Sequence, residues 1–187
     1  MGKLNSTSGP VESGSHSEAY RRRVNALAVI ASAAFAGGIL FIGLSLGAYW
    51  LSLPPLDYMS GFWELFLCFQ YTILPLFSLT LVGVVLSARL DWAEPELRRL
   101  WQLAIICYAI TSLITLGYHL PENLSLKNAV YSAAEVSSVR ITWLLLHVPR
   151  VLLAFCIPWL ALRAIVIHHT GSTAAEARPS GMKGVSR

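Results

Sequence analysis

Apolar residues gather in four long runs, 24–50, 61–88, 100–118 and 141–167, and polar segments separate them. A helix needs roughly 20 residues to cross a hydrocarbon core of ~30 Å, so each run is long enough to span a membrane. The pattern predicts an all-α fold, an integral membrane four-helix bundle over residues 21–168. Residues 1–20 and 169–187 are rich in small polar residues and are expected to be disordered tails. The connection 120–139 is longer than usual between adjacent helices. Its stretch from Ser125 to Arg140 reads equally as a short interfacial helix over the bundle mouth or as a solvated loop.

Polar residues inside the runs recur at helical spacing. In the fourth run Arg140, Trp143, His147 and Arg150 are three, four and three apart, one stripe on a helix. Arg150 lies deep in its run. An ionisable residue there is costly in lipid, so it faces the bundle interior or a wet cavity and marks a functional site by default. The second run carries Glu64, Cys68, Tyr71, Pro75 and Ser78 at intervals of four and three, which predicts a polar-lined face with a kink at Pro75. Glu64 reads either as a carboxylate at the headgroup boundary or as a partner for Arg150. The third run places Tyr108, Thr111 or Ser112, Thr115, and Tyr118 or His119 along one face. In the first run Gly43 and Gly47 form a GxxxG spacing, which favours close helix contact.

Composition supports the membrane reading: 55% of the 187 residues are hydrophobic and 13% charged. Most lysines and arginines fall at the two termini and in the segment Arg89 to Arg99. Both termini and that segment are therefore expected on the cytosolic side. The net charge of +4 follows from this distribution and requires no nucleic acid. Cys68, Cys107 and Cys156 each sit in an apolar run without a CxxC or Cys/His cluster, so they read as packing residues and no metal site is expected. Gly2 and Ser6 fit a loose myristoylation pattern, and Asn5 and Asn123 begin glycosylation sequons. His168 and His169 are adjacent, so they do not share a helix face.

The stretch from His119 to Arg150 resembles the anthrone oxygenase family of small four-helix membrane proteins. The resemblance rests on Pro121, Glu122 and Asn123 after the third helix, then Trp143, His147 and Arg150 in the order W-x-x-x-H-x-x-R. It implies oxidation of an anthrone, a small aromatic polyketide, to an anthraquinone, with molecular oxygen as co-substrate and no flavin, haem or metal.

Chemistry then suggests roles. An anthrone methylene is acidic because its anion is an aromatic anthrolate, which reacts with oxygen directly. His147 is the candidate base and Arg150 the oxyanion stabiliser. His119 and Asn123 are candidate hydrogen-bond donors to substrate oxygens; Trp143, Tyr118 and Tyr71 would supply aromatic surface, and Glu64 would orient a histidine or balance Arg150. Two alternatives stand beside this: a haem or metal redox protein using His119 and His147, and a non-enzymatic protein whose polar groups only join helices. A mean hydropathy of +0.58 suits an endoplasmic reticulum membrane or a bacterial inner membrane. The sequence leaves a homo-oligomer open.

Overall fold

Proline and short links divide the chain into four rods. The computed structural model describes residues 11–176. The first rod is α1 (Val11–Phe41), a π-helical turn (Ile42–Leu46) and α2 (Gly47–Ser52). Pro54 is extended, and Pro55 sits in the first turn of α3 (Pro55–Leu90), where its missing amide costs nothing. Pro95 opens α4 (Pro95–Ile114) in the same way. A second π turn (Thr115–His119) leads into α5 (Leu120–Lys127), and α6 (Ala133–Glu176) is the fourth rod. All four rods are long and apolar enough to cross a membrane, and the chain is an all-α, multi-pass membrane bundle.

Three expectations need correction. Residues 11–20 and 169–176 are helical, within the stretches 1–20 and 169–187 where disordered tails are expected from the sequence. Glu18 accepts from His168 and pairs with Arg22, and these contacts anchor the added turns. Residues 1–10 and 177–187, with Gly2, Ser6 and the Asn5 sequon, lie outside the described residues. The connection 120–139 is neither lid nor loop: its first part extends the third rod and its last part begins the fourth, with the link between α5 and α6 reduced to residues 128–132. Pro121 does not stop the rod because it follows the π turn. Leu120 N–H already bonds Thr115 C=O, five residues back, so the residue without an amide falls at the register slip.

Small residues set the helix contacts, as expected for packing in lipid. A Cβ on Gly83 would lie 2.8 Å from the Ala28 Cα, so α1 and α3 cross almost backbone to backbone. Gly43 and Gly47 seat α6: their Cβ positions would lie 2.8 Å from His147 Cδ2 and 2.9 Å from a Leu144 methyl.

A solid core fills each end of the bundle. At the end carrying the termini, Ala28, Val84, Trp101, Ile157 and Leu160 pack around a buried carboxylate. Asp91 accepts from Arg21 Nε at 2.5 Å, Trp101 Nε1 at 2.6 Å and Asn25 Nδ2 at 3.4 Å. That network ties α1, the α3–α4 turn and α4 together. At the far end Trp50, Tyr58, Phe62, Leu126 and Val136 form an aromatic plug. Arg140 serves this end, because its Nη1 donates to Trp50 C=O at 2.7 Å and Leu53 C=O at 2.8 Å, where α2 stops. Tyr131, in the link outside the spans, donates to Glu122; burial first, then that hydrogen bond, raises its phenol pKa above the ordinary value.

Candidate functional site

Between the two cores lies a cavity of about 440 Å³. Its α1 wall is Phe35, Ile39 and Ile42, and its α3 wall runs from Phe66 to Leu81. The remaining walls carry Tyr108, Ser112, Thr115, His119 and Asn123 from the third rod and Trp143, His147 and Arg150 from α6. The polar face expected of the third helix therefore does point inward. Its hydroxyls are largely spent on their own backbone, since Ser112 donates to Tyr108 C=O and Thr115 to Thr111 C=O.

Both π turns border this cavity. The first brings Gly43 against His147, and the second ends on His119, in two different rods. A π turn widens the helix and shifts the facing side chains, a feature frequent at functional sites. Trp143 is the centre of the polar cluster. Its ring stacks on His147 with centroids 5.0 Å apart and 11° between planes, and meets His119 edge-on at 4.7 Å. Its Nε1 donates to Asn123 Oδ1 at 2.9 Å. Because Asn123 is buried in that bond, its sequon should carry no sugar even when the chain is made in a glycosylating host; a mass shift removed by glycosidase would contradict this.

Hydrogen bonding fixes the state of His147. Arg150 can only donate, so its Nη1, 3.2 Å from His147 Nδ1, makes Nδ1 the acceptor. The ring hydrogen is therefore on Nε2, which donates to Ile39 C=O at 2.9 Å. His119 is enclosed by backbone, with Nδ1 3.3 Å from Ile114 C=O and Nε2 3.2 Å from Trp143 C=O. A neutral ring has one hydrogen to give, so one of those contacts is a donation and the other is not.

Arg150 is 8% exposed, and among the described residues no carboxylate pairs with it. Its Nε has no hydrogen-bond partner among them. A desolvated guanidinium lining a cavity can donate to an oxygen anion or a strongly polarised oxygen held there.

Five of the eight residues proposed from sequence line the cavity: His119, Asn123, Trp143, His147 and Arg150. The other three do not. Tyr118 lies outside the lining, packing into the far-end aromatic plug and edge-on to His119. Tyr71 is 82% exposed on the outer face of α3, and Glu64 is exposed as well, so neither reaches Arg150. The whole stripe from Glu64 through Cys68, Tyr71 and Pro75 to Ser78 faces outward. Tyr58, Phe62, Phe66, Phe69, Ile73 and Phe77 claim the inner face instead, since aromatic bulk fills the bundle better. Gln70 was missed: it lines the cavity, and its amide has no hydrogen-bond partner among the described residues. An amide inside an apolar run was the available signal, one residue from the chosen Tyr71.

Compared with known proteins, the chain matches no family model, no curated protein and no solved structure.

The contact at Gly43 allows a direct check of how tightly the site is seated. Gly43→Ala should displace the His147 ring and cost about 1–3 kcal/mol of stability through overpacking, measured as a lower unfolding midpoint in detergent. Gly37→Ala, where an added Cβ meets nothing within 4 Å, is the control and should be neutral.

Proposed function

We propose that this protein is a membrane oxygenase that oxidises an anthrone-type polycyclic phenol to an anthraquinone with molecular oxygen and no redox cofactor. The observation that carries this reading is Arg150: buried, lining the cavity, without a carboxylate partner among the described residues, and hydrogen-bonded to a neutral histidine. The His119 to Arg150 resemblance supplies the substrate class, and the apolar walls suit a flat hydrophobic molecule.

In this mechanism the substrate carbonyl oxygen takes hydrogen bonds from Arg150. As the guanidinium turns to that oxygen, it releases His147 Nδ1, which accepts a proton from the acidic methylene. The resulting anthrolate spreads its charge onto the oxygen held by Arg150. It gives one electron to O₂, and the radical pair recombines as a peroxide on the former methylene carbon. His147 returns its proton to the peroxide, and loss of water leaves the new ketone. Anthrone and O₂ thus become anthraquinone and H₂O, and both side chains end as they began. His119 positions Trp143 through its backbone contact, Trp143 and Asn123 hold the His147 ring flat, and Gln70 offers a second hydrogen bond across the cavity.

Anthraquinone formation by purified, metal-stripped protein given emodin anthrone tests the reading. Product above the spontaneous background, reduced in His147→Ala to about a hundredth or less of wild type, is the expected result. A Soret band in the optical spectrum of the active protein would instead favour a haem redox protein. The membrane itself would be the endoplasmic reticulum in a eukaryote or the inner membrane in a bacterium.

A further inference from the structure

The solid cores leave the cavity no direct route to water along the bundle axis. Toward the termini it is closed by the packing around Trp101, Ala104 and Ile157, and toward the far end by the plug of Trp50, Tyr58 and Phe62. Two of the side seams are also tight. Gly83 brings α3 against Ala28 of α1, and Gly43 and Gly47 bring the π turn and α2 of the first rod against α6. The seam between α3 and the third rod differs. Leu74 and Leu116 both line the cavity, yet they are 58% and 61% exposed, so each belongs to the inner wall and the outer surface together. Leu81 and Leu120 repeat this at the two ends of the same seam.

We propose that the seam at Leu74 and Leu116 is a lateral portal, through which an apolar molecule dissolved in the bilayer reaches Arg150 from the hydrocarbon and not from water. Leu67 and Leu79 of α3 and Leu113 of α4 are exposed as well, and apolar side chains on the outside of a membrane span meet lipid chains and not solvent. A solute in the hydrocarbon keeps apolar surroundings on this path, whereas a water-borne one would have to open a packed core. Gln70, one turn from Leu74, and Thr115, next to Leu116, are polar groups on the cavity lining, and Pro75 beside Leu74 interrupts the α3 hydrogen-bond ladder at that height. The route stands on the packing alone; only the identity of the cargo as an anthrone rests on the oxygenase reading.

Adamantyl diazirine, an apolar photolabel, tests the route in proteoliposomes. Carbene insertion into the cavity residues Thr115, His119 or His147 is expected in wild type, by peptide mass spectrometry. Leu116→Trp and Leu74→Trp should lower that insertion by at least about fivefold relative to insertion at lipid-facing Leu152. Leu113→Trp, exposed in the same region but off the cavity lining, should not. Cavity insertion that is absent in wild type, because closed helices or a second copy seal the seam, overturns the portal. So does insertion that the two rim variants leave unchanged. Anthrone oxidation measured on the same proteoliposomes separates the two ideas: rim-dependent labelling without oxidation in wild type keeps the portal and removes the oxygenase reading.

Discussion

Arg150→Gln should lower anthrone turnover by about a hundredfold to a thousandfold, the usual cost of removing one donor from a developing oxyanion, while leaving the protein as stable as before or more so. The two halves of this expectation have one cause. Among the described residues no carboxylate compensates the desolvated Arg150, so the folded state holds a charge whose burial costs several kcal/mol and whose hydrogen-bond partner there is a neutral imidazole nitrogen. Glutamine keeps a donor for His147 Nδ1 and removes the charge. A residue retained to hold helices together would behave in the opposite way, because its loss would weaken the bundle. Paired assays of turnover and thermal midpoint therefore discriminate an oxyanion site from structural glue. A lower midpoint with unchanged turnover per folded molecule would assign Arg150 to the scaffold.

The second large effect is expected at the other end of the molecule. Asp91→Ala should destabilise the protein by about 3–5 kcal/mol, the range for breaking a buried ion pair, and lower its thermal midpoint by roughly 10 °C. Asp91 is buried and is the shared acceptor for Arg21, Asn25 and Trp101; its removal leaves the Asn25 and Trp101 donors in the core without it, while Arg21 keeps only Glu94. At 1.5 Å per residue, Asp91 lies roughly 15 Å beyond Leu81, the last α3 residue of the cavity wall, and farther from His147 and Arg150, so turnover per folded molecule should be unchanged. A midpoint within a degree or two of wild type would show that water or Glu94 replaces the carboxylate.

Periodicity made much of the site legible. Trp143, His147 and Arg150 lie on one uninterrupted helix, and residues at i, i+4 and i+7 must share a face whatever the bundle does. Arg140 continues the stripe, but it lies level with the end of α2, and its guanidinium clamps carbonyls there. In α3 the same spacing misled. Polar residues at intervals of four and three define a face without saying which way it points, and the aromatic series from Tyr58 to Phe77 decided it. The stripe Glu64, Tyr71 and Ser78 therefore faces outward, and Gln70, about 100° away on the helix, faces in. Helix ends were the least legible feature. Pro121 reads as a stop, and only the register slip of a π turn, which no local composition announces, lets the rod pass through it to Lys127.

Asn123 connects the site to the stability of the plug above it. Asn123→Leu should leave Trp143 Nε1 buried without an acceptor, at a cost of about 1–3 kcal/mol, and should free the Trp143 ring to tilt off His147. Asn123→Asp, which keeps the acceptor, should preserve the ring geometry; near-ultraviolet circular dichroism of the two variants would distinguish them.

Oxygen uptake by the purified, metal-stripped protein in proteoliposomes supplied with emodin anthrone is the most direct measurement of the central claim. One O₂ consumed per anthraquinone formed, well above the spontaneous rate and returning to it in Arg150→Gln, is the result expected of a cofactor-free oxygenase built on the Arg150 and His147 pair. Uptake at the spontaneous rate in folded wild-type protein, or uptake that survives the loss of Arg150, would contradict it.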